Sequence, residues 1–338
     1  MTKKTLRIVA LALVCLLFAG ACAPAKKAEP ASADKLKVAL ILPGKADDVS
    51  FNQSMYEGMM KIADEYKDQI EVKVVEEVYE VADIEPALMD FASDGYDLIF
   101  GHGFQFMEPI IKVAEKYPDT FFALGCGYKT LDNTCVYDVH LQDGGYIMGI
   151  LAASITETGK IGVIGGGDVA EVFRGHEGFK FAAKKINPAI EIQEVYTGDW
   201  TDSAGAKEAA ISMYDSGVDI IWHSGDGIGL GTVEAAKVKN QLVLGNIADQ
   251  SPLAPDNVLS GVIYEWDAVI KGIIDDVLNE NFKNRQDKFY WIETGNNGLR
   301  YSDFGKLGDK VPQDVKDLMA TEFEALKNGE IDMPSFDK

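Results

Sequence analysis

This sequence is short of positive charge. Its 338 residues include 32 Lys and Arg against 54 Asp and Glu, for a formal net charge of −22. So acidic a chain is repelled by phosphate backbones and by anionic lipid head groups. Nucleic acid is therefore excluded as a partner, and so is a membrane contact made by charge. Cysteine and histidine are scarce too, four of each. The histidines (His102, His140, His176, His223) are scattered, and neither CxxC nor HExxH occurs, so nothing in the sequence supports a metal site. A phosphate-cradling P-loop, a Ser–His–Asp order and a close carboxylate pair are also missing. What is present is apolar substance: 47% of the residues are hydrophobic, enough for a sizeable core, and the length allows two globular units.

Cations lead the chain, with no acid among them. Lys3, Lys4 and Arg7 precede the apolar run 8–18, which is too short to span a bilayer comfortably. This is the layout of a secretory signal. It ends Ala19-Gly20-Ala21-Cys22, which resembles a bacterial lipoprotein signal with Cys22 as the lipidation site. Residues 23–35 (APAKKAEPASADK) are polar and low in complexity, a flexible tether. The expectation is a signal at 1–22 and a lipid-anchored domain outside the cytoplasm. In that compartment a disulfide is permitted between Cys126 and Cys135, which flank a turn-rich stretch.

From residue 35 onward, short β-branched runs alternate with amphipathic segments. Strands are expected at 37–42, 71–79, 97–101 and 120–124, then at 160–164, 190–196, 218–223, 242–247 and 258–264. Helices are expected between them, and a helix near 144–158 joins the two runs. Nearly continuous apolar strands alternating with helices mean parallel sheets covered on both faces. The fold class is α/β: two doubly wound lobes with a ligand cleft between them, where the strand ends meet. The N-terminal lobe is expected to take residues 36–140 plus about 266–285, the C-terminal lobe 141–265 plus about 286–338.

The strand-end loops carry glycines, aromatics and small polar residues. In the first lobe they hold Asp48, Phe51, Asn52, Gly103 and Phe104; in the second, Trp200, Gly225, Asp226, Gly227 and Asp249. Rings can stack on a flat heterocycle while Asp and Asn meet its polar edge. That composition suits a planar, polar, uncharged ligand. Each feature also has a structural reading. Asp48 could cap the helix near Ser50, His102 and His223 could be hydrogen-bonded core residues, and glycines at strand ends could be turns. The run Gly225–Gly231 lacks the spacing of a dinucleotide fingerprint, so no nicotinamide cofactor is expected.

At these loops the sequence resembles the basic membrane protein family, purine-nucleoside-binding lipoproteins that serve ABC importers. The likeness runs from residue 35 to about 327 and is strongest at DVSFNQ (48–53), DLIFGHGF (97–104), KIGVIGG (160–166) and GIGLG (227–231). It implies a type I periplasmic-binding-protein fold, no enzymatic activity, no cofactor, a monomer, and an ABC permease as partner. By position, Phe51 and Trp200 resemble the stacking pair, Asn52 and Asp48 the base-edge contacts, Asp249 the ribose carboxylate, and Gly225–Gly227 the wall beside it. The sequence departs from the family at Asn246, where Asp is common, and within 124–126, where an acid is common. It departs again at Tyr264 or Glu265, where a lysine is common. Residues 104–109 and 127–130 look like a branch associated with free purine bases, and a related branch binds flavin. Purine nucleoside, free base and riboflavin thus stay open as ligands, and a sensing receptor stays open beside a transporter. A nucleoside-processing enzyme using Asp48 or Asp249 as acid or base lacks an activated nucleophile.

Overall fold

The computed structural model describes residues 35–336. The expected signal, Cys22 and nearly all of the tether lie outside the described residues. The first half of the chain lays down β1 (Leu36–Ile41), α1 (Phe51–Glu65), β2 (Ile70–Val75), α2 (Val81–Ser93), β3 (Leu98–Gly101), α3 (Met107–Ala114), β4 (Phe121–Gly125) and β5 (Thr134–Val139). The second repeats the alternation with α4 (Leu141–Ile155), β6 (Lys160–Gly165), α5 (Ala170–Ile186), β7 (Glu191–Tyr196), α6 (Ser203–Asp215), β8 (Ile220–Ser224), α7 (Asp226–Lys239), β9 (Leu242–Gly245) and β10 (Val258–Tyr264). α8 (Asp267–Leu278), β11 (Phe289–Ile292), β12 (Leu299–Tyr301) and α9 (Gln313–Lys327) complete it.

The strands form two six-stranded sheets, ordered β2-β1-β3-β4-β5-β11 and β7-β6-β8-β9-β10-β12. All pairings are parallel except β10 with β12. The architecture is the type I periplasmic-binding-protein fold. In each sheet the chain reverses its winding between the first and third strands, β1/β3 and β6/β8, and the crevice at such a switch is where open α/β sheets bind ligands.

Alternating residues explain the layers. Val38 and Leu40 of β1 pack toward Met55, Met59 and Ile62 of α1, while Ala39 and Ile41 face Ile84 and Leu88 of α2. In the second sheet Ile161 and Val163 share a core with Phe179 of α5, and Ile164 with Ala206 and Ala210 of α6. One core runs unbroken from the α1 side of the first sheet to the α4–α5 side of the second. Helices α4 and α5 touch backbone to backbone: a Cβ on Gly145 would sit 2.0 Å from the Gly175 carbonyl oxygen. Only glycine permits that approach.

Four expectations are corrected. Strand β5 was not anticipated, because Asp138 interrupts its apolar pattern; the acid is buried with Arg174 of α5 on it at 2.8 Å. β11 was expected in the second lobe, yet it pairs with β5, so the first lobe's returning piece extends to Ile292. Asp226 and Gly227, expected in a strand-end loop, instead open helix α7, which also takes in Gly229 and Gly231. Those glycines serve close packing: a Cβ on Gly231 would lie 2.1 Å from the Ser203 carbonyl oxygen. Finally, Cys126 and Cys135 are both free. Cys135 pairs in register with Ala123, three residues before Cys126. At about 3.3 Å per residue that offset is too long for a disulfide.

Candidate ligand cleft

The first-lobe wall is built around the start of α1. Asp48 Oδ1 accepts the backbone N–H groups of Ser50 (2.9 Å) and Gln53 (3.0 Å). Its Oδ2 accepts the backbone N–H of Asn52 (3.1 Å) and the Asn52 side-chain amide (2.7 Å). Asn52 is buried, and its Oδ1 takes the Gly44 N–H at 3.1 Å. A carboxylate here satisfies N–H groups that the helix leaves open. Of the two roles the sequence left open for Asp48, capping is the one the geometry displays.

Phe51 lies flat on His102, with centroids 3.8 Å apart and planes 17° from parallel. His102 is fully buried, and burial drives its pKa down to about 3, so the ring is neutral. Nε2 is 3.1 Å from the Phe51 carbonyl, which can only accept, so Nε2 donates; Nδ1 then accepts from the Tyr137 hydroxyl at 3.1 Å. Trp266 stands edge-on to Phe51 and His102 and donates its indole N–H to Ser54 Oγ at 2.9 Å. His102 is thus a core histidine, and so is His223, whose Nε2 is 2.7 Å from Gln250 Oε1.

The second-lobe wall is barer. Trp200 lies against the backbone of Gly166 and Gly167, where a Cβ would come within 2.5 Å and 2.9 Å of its ring. Across the cleft its nearest ring is Phe104, exposed beside Gly103, with centroids 6.3 Å apart. The Trp200 carbonyl accepts the Gly227 N–H at 2.9 Å, while Gly225 turns the chain with φ of 147°. Asp249 is exposed, one oxygen accepting the Ser251 N–H at 2.9 Å. Strain gathers in these loops: Val49, Cys126 and Ile247 hold φ of 58°, 57° and 76°, a region that costs β-branched residues especially.

Hydrogen bonds join the walls at two ends. At one end Asp226 reaches from α7 to the first lobe, its Oδ1 accepting Ser50 Oγ–H (2.8 Å) and the Phe51 N–H (3.2 Å). Burial and the nearby Asp48 push Asp226 up to about 6. At the other end the thiol of Cys126 donates to Glu171 Oε2 at 3.2 Å, and Tyr264 donates its hydroxyl to Glu171 Oε1 at 3.2 Å. The Asn246 amide donates to that same hydroxyl at 3.3 Å, and its buried Oδ1 has no partner among the described residues. Burial, then Asp138, raises Glu171 to about 7, and burial lifts the Cys126 thiol well above its usual range. The donor atoms of Cys126, Asp138 and Glu171 lie within 4.8 Å of one another. Arg174 already takes Asp138, and the thiol holds its proton, so this set fits a hydrogen-bond network better than a metal.

Of the expected cleft residues, the structure sets Asp48, Phe51 and Asn52 at the start of α1 with Asp226 bonded across to them, and brings Phe104 against Trp200, while Asp249 is bonded only to Ser251 beside it. Phe51 stacks on His102 and not on Trp200, and Asp226 bridges the lobes. Glu171 was missed by the sequence reading, since a lone acid on a helix resembles any solvated one. A signal did exist: Cys126, Tyr264 and Asn246, three of its departures from the family pattern, all meet around Glu171.

A family model for PnrA-like ABC transporter substrate-binding proteins matches residues 35–327. A purine-binding protein of Brucella abortus is 31% identical over 299 residues, covering 88% of this chain and 83% of its own. The transcriptional activator protein Med of Bacillus subtilis is 28% identical over 297 residues, covering 87% and 90%. Among solved structures, an ABC transporter solute-binding protein from Conexibacter woesei superposes with a TM-score of 0.72 at 26% identity, covering 90% of this chain and all of its own.

Proposed function

The chain belongs to the PnrA-like family of ABC transporter substrate-binding proteins, and on that premise we propose that it captures a purine between its lobes and delivers it to an ABC permease. Members of this family are substrate-binding proteins, not enzymes. In this reading Cys22 carries the lipid that keeps the protein at the membrane, and the folded lobes work outside the cytoplasm. The observation that supports a purine best is Trp200, its ring close against Gly166 and Gly167 with Phe104 opposite at 6.3 Å. A base sliding between the lobes would stack there, and neutral polar groups would meet its edge. The purine-binding relative from Brucella abortus agrees with this ligand class.

Two features weigh toward the free base over the nucleoside. The Cys126–Glu171–Tyr264 network satisfies its own members and offers the ligand an amide, not a lysine. The carboxylate expected to hold a sugar diol, Asp249, is exposed and partly engaged by Ser251. Calorimetry of the full chain in detergent against adenine, guanine, hypoxanthine, adenosine, guanosine and riboflavin tests the reading. Purine binding with the bases ahead of the nucleosides is expected, and silence toward every purine would sink it. The likeness to Med favours a second reading, in which the same cleft senses a ligand for a signalling partner. Loss of purine uptake on deletion of the protein separates transport from sensing.

A further inference from the structure

The start of α1 accounts for its N–H groups completely. Those of Ser50, Asn52 and Gln53 go to Asp48 of the same loop. The N–H of Val49 goes to Gln53 Oε1 at 3.0 Å, and that of Ser54 closes the first helical bond on the Ser50 carbonyl. Phe51 alone is left, and Asp226 takes it from the opposite lobe together with the Ser50 hydroxyl. A helix N-terminus facing a cleft is ordinarily ready for an anion. Here two carboxylates have already consumed it.

The oxygens can be counted as well. Both oxygens of Asp48 are engaged, and Asp226 Oδ1 holds two donors. Among the described residues Asp226 Oδ2 has no protein donor, and Asp226 is only half-buried. In the ionised carboxylate that oxygen accepts a hydrogen bond and gives none.

From this juxtaposition we propose that Asp226 is the specificity-determining residue of the cleft: it bridges the lobes, accepts an N–H from an uncharged ligand edge, and rejects phosphorylated ligands. The inference deepens the purine reading and rests on it. A phosphate entering here meets two carboxylates and no open N–H group. A base presenting a ring or amino N–H meets an acceptor that is already fixed in place by the other lobe, so recognition of that edge and closure share one side chain.

The test compares the wild-type chain with Asp226→Asn and Ser50→Ala. Ser50 makes no side-chain cap to its own helix, so its truncation removes the bridge's hydroxyl and leaves the free oxygen of Asp226 intact. Small-angle X-ray scattering without ligand reads closure; calorimetry against adenine, adenosine and adenosine 5′-monophosphate reads selectivity. Asp226→Asn should enlarge the radius of gyration and weaken adenine on the order of tenfold, as expected for one lost charge-assisted bond. It should also narrow the gap between the nucleoside and its monophosphate by a similar factor. Ser50→Ala should enlarge the radius while the monophosphate stays excluded as in wild type. An Asp226→Asn chain with unchanged radius and unchanged selectivity overturns the proposal. If the wild-type chain binds no purine, the ligand reading fails; the scattering comparison then still decides the bridge, since an unchanged radius removes it.

Discussion

The two lobes share one strand order, yet they line the cleft in opposite ways. In the first, the polar groups are spent on one another: Asp48 on α1, Asn52 on Gly44 and Asp48, His102 on Phe51 and Tyr137. In the second, groups are left open among the described residues: the Asn246 oxygen and the free oxygen of Asp226, beside an indole that lies against the glycines 166 and 167. A wall with its hydrogen bonds closed is rigid and indifferent to what fills the cleft; a wall with open valences waits for a ligand. First-lobe substitutions should therefore damage folding, and second-lobe substitutions should damage binding.

The seam between the lobes should give the largest effect. Arg174→Ala leaves Asp138 buried beside Glu171 without its cation and should destabilise the fold by roughly 3–5 kcal/mol, read by urea denaturation. A loss below ~1 kcal/mol would show that the seam is wetter than its burial indicates.

The next effect is a pH dependence. Glu171 titrates near 7 in the folded chain against its ordinary 4.5, so the fold holds its proton more tightly than the unfolded chain does. Its contribution is complete below about 4.5 and is lost as pH rises through 7, up to ~3 kcal/mol in all. Asp226 adds a loss of the same sign between 3.8 and about 6. Glu194, held down at about 2 by His176, acts in the opposite sense and only below 4.5. Glu171→Gln should flatten the slope of stability between pH 5 and 8, and an unaltered slope would place the titration elsewhere.

The sharpest contrast between the walls pairs Trp200→Ala with Phe51→Ala. The first should cost about 1–3 kcal/mol in purine affinity and little in melting temperature. The second removes a ring packed on His102 and Trp266, so it should lower the melting temperature by several degrees as well. Equal melting temperatures for the two variants would break the comparison. The smallest effect is a null one. Cys126 and Cys135 are free thiols, so a reductant should leave the melting temperature unchanged, whereas a drop of several degrees would reveal a bridge.

Most of the architecture was legible in the sequence because it rests on local patterns. Strands such as β1 and β6 are short apolar runs, and each is followed by a turn-forming, glycine-containing stretch. What escaped depended on distant partners. Asp138 reads as a break in a strand until Arg174 is seen to neutralise it, and residues from about 286 onward are given to the second lobe until β11 is seen to pair with β5. Glu171 is ordinary on α5 and becomes central only when β4 and β10 deliver Cys126 and Tyr264 to it. The glycines of α7 suggested a loop because close helix packing uses the same residue as a turn does.

The measurement closest to the central claim is a crystal structure of the protein grown with adenine. The account predicts the base between the lobes, one face on Trp200 and a ring or amino nitrogen within hydrogen-bond distance of Asp226 Oδ2. A base bound away from Trp200, or a closed cleft that excludes it, would contradict the account.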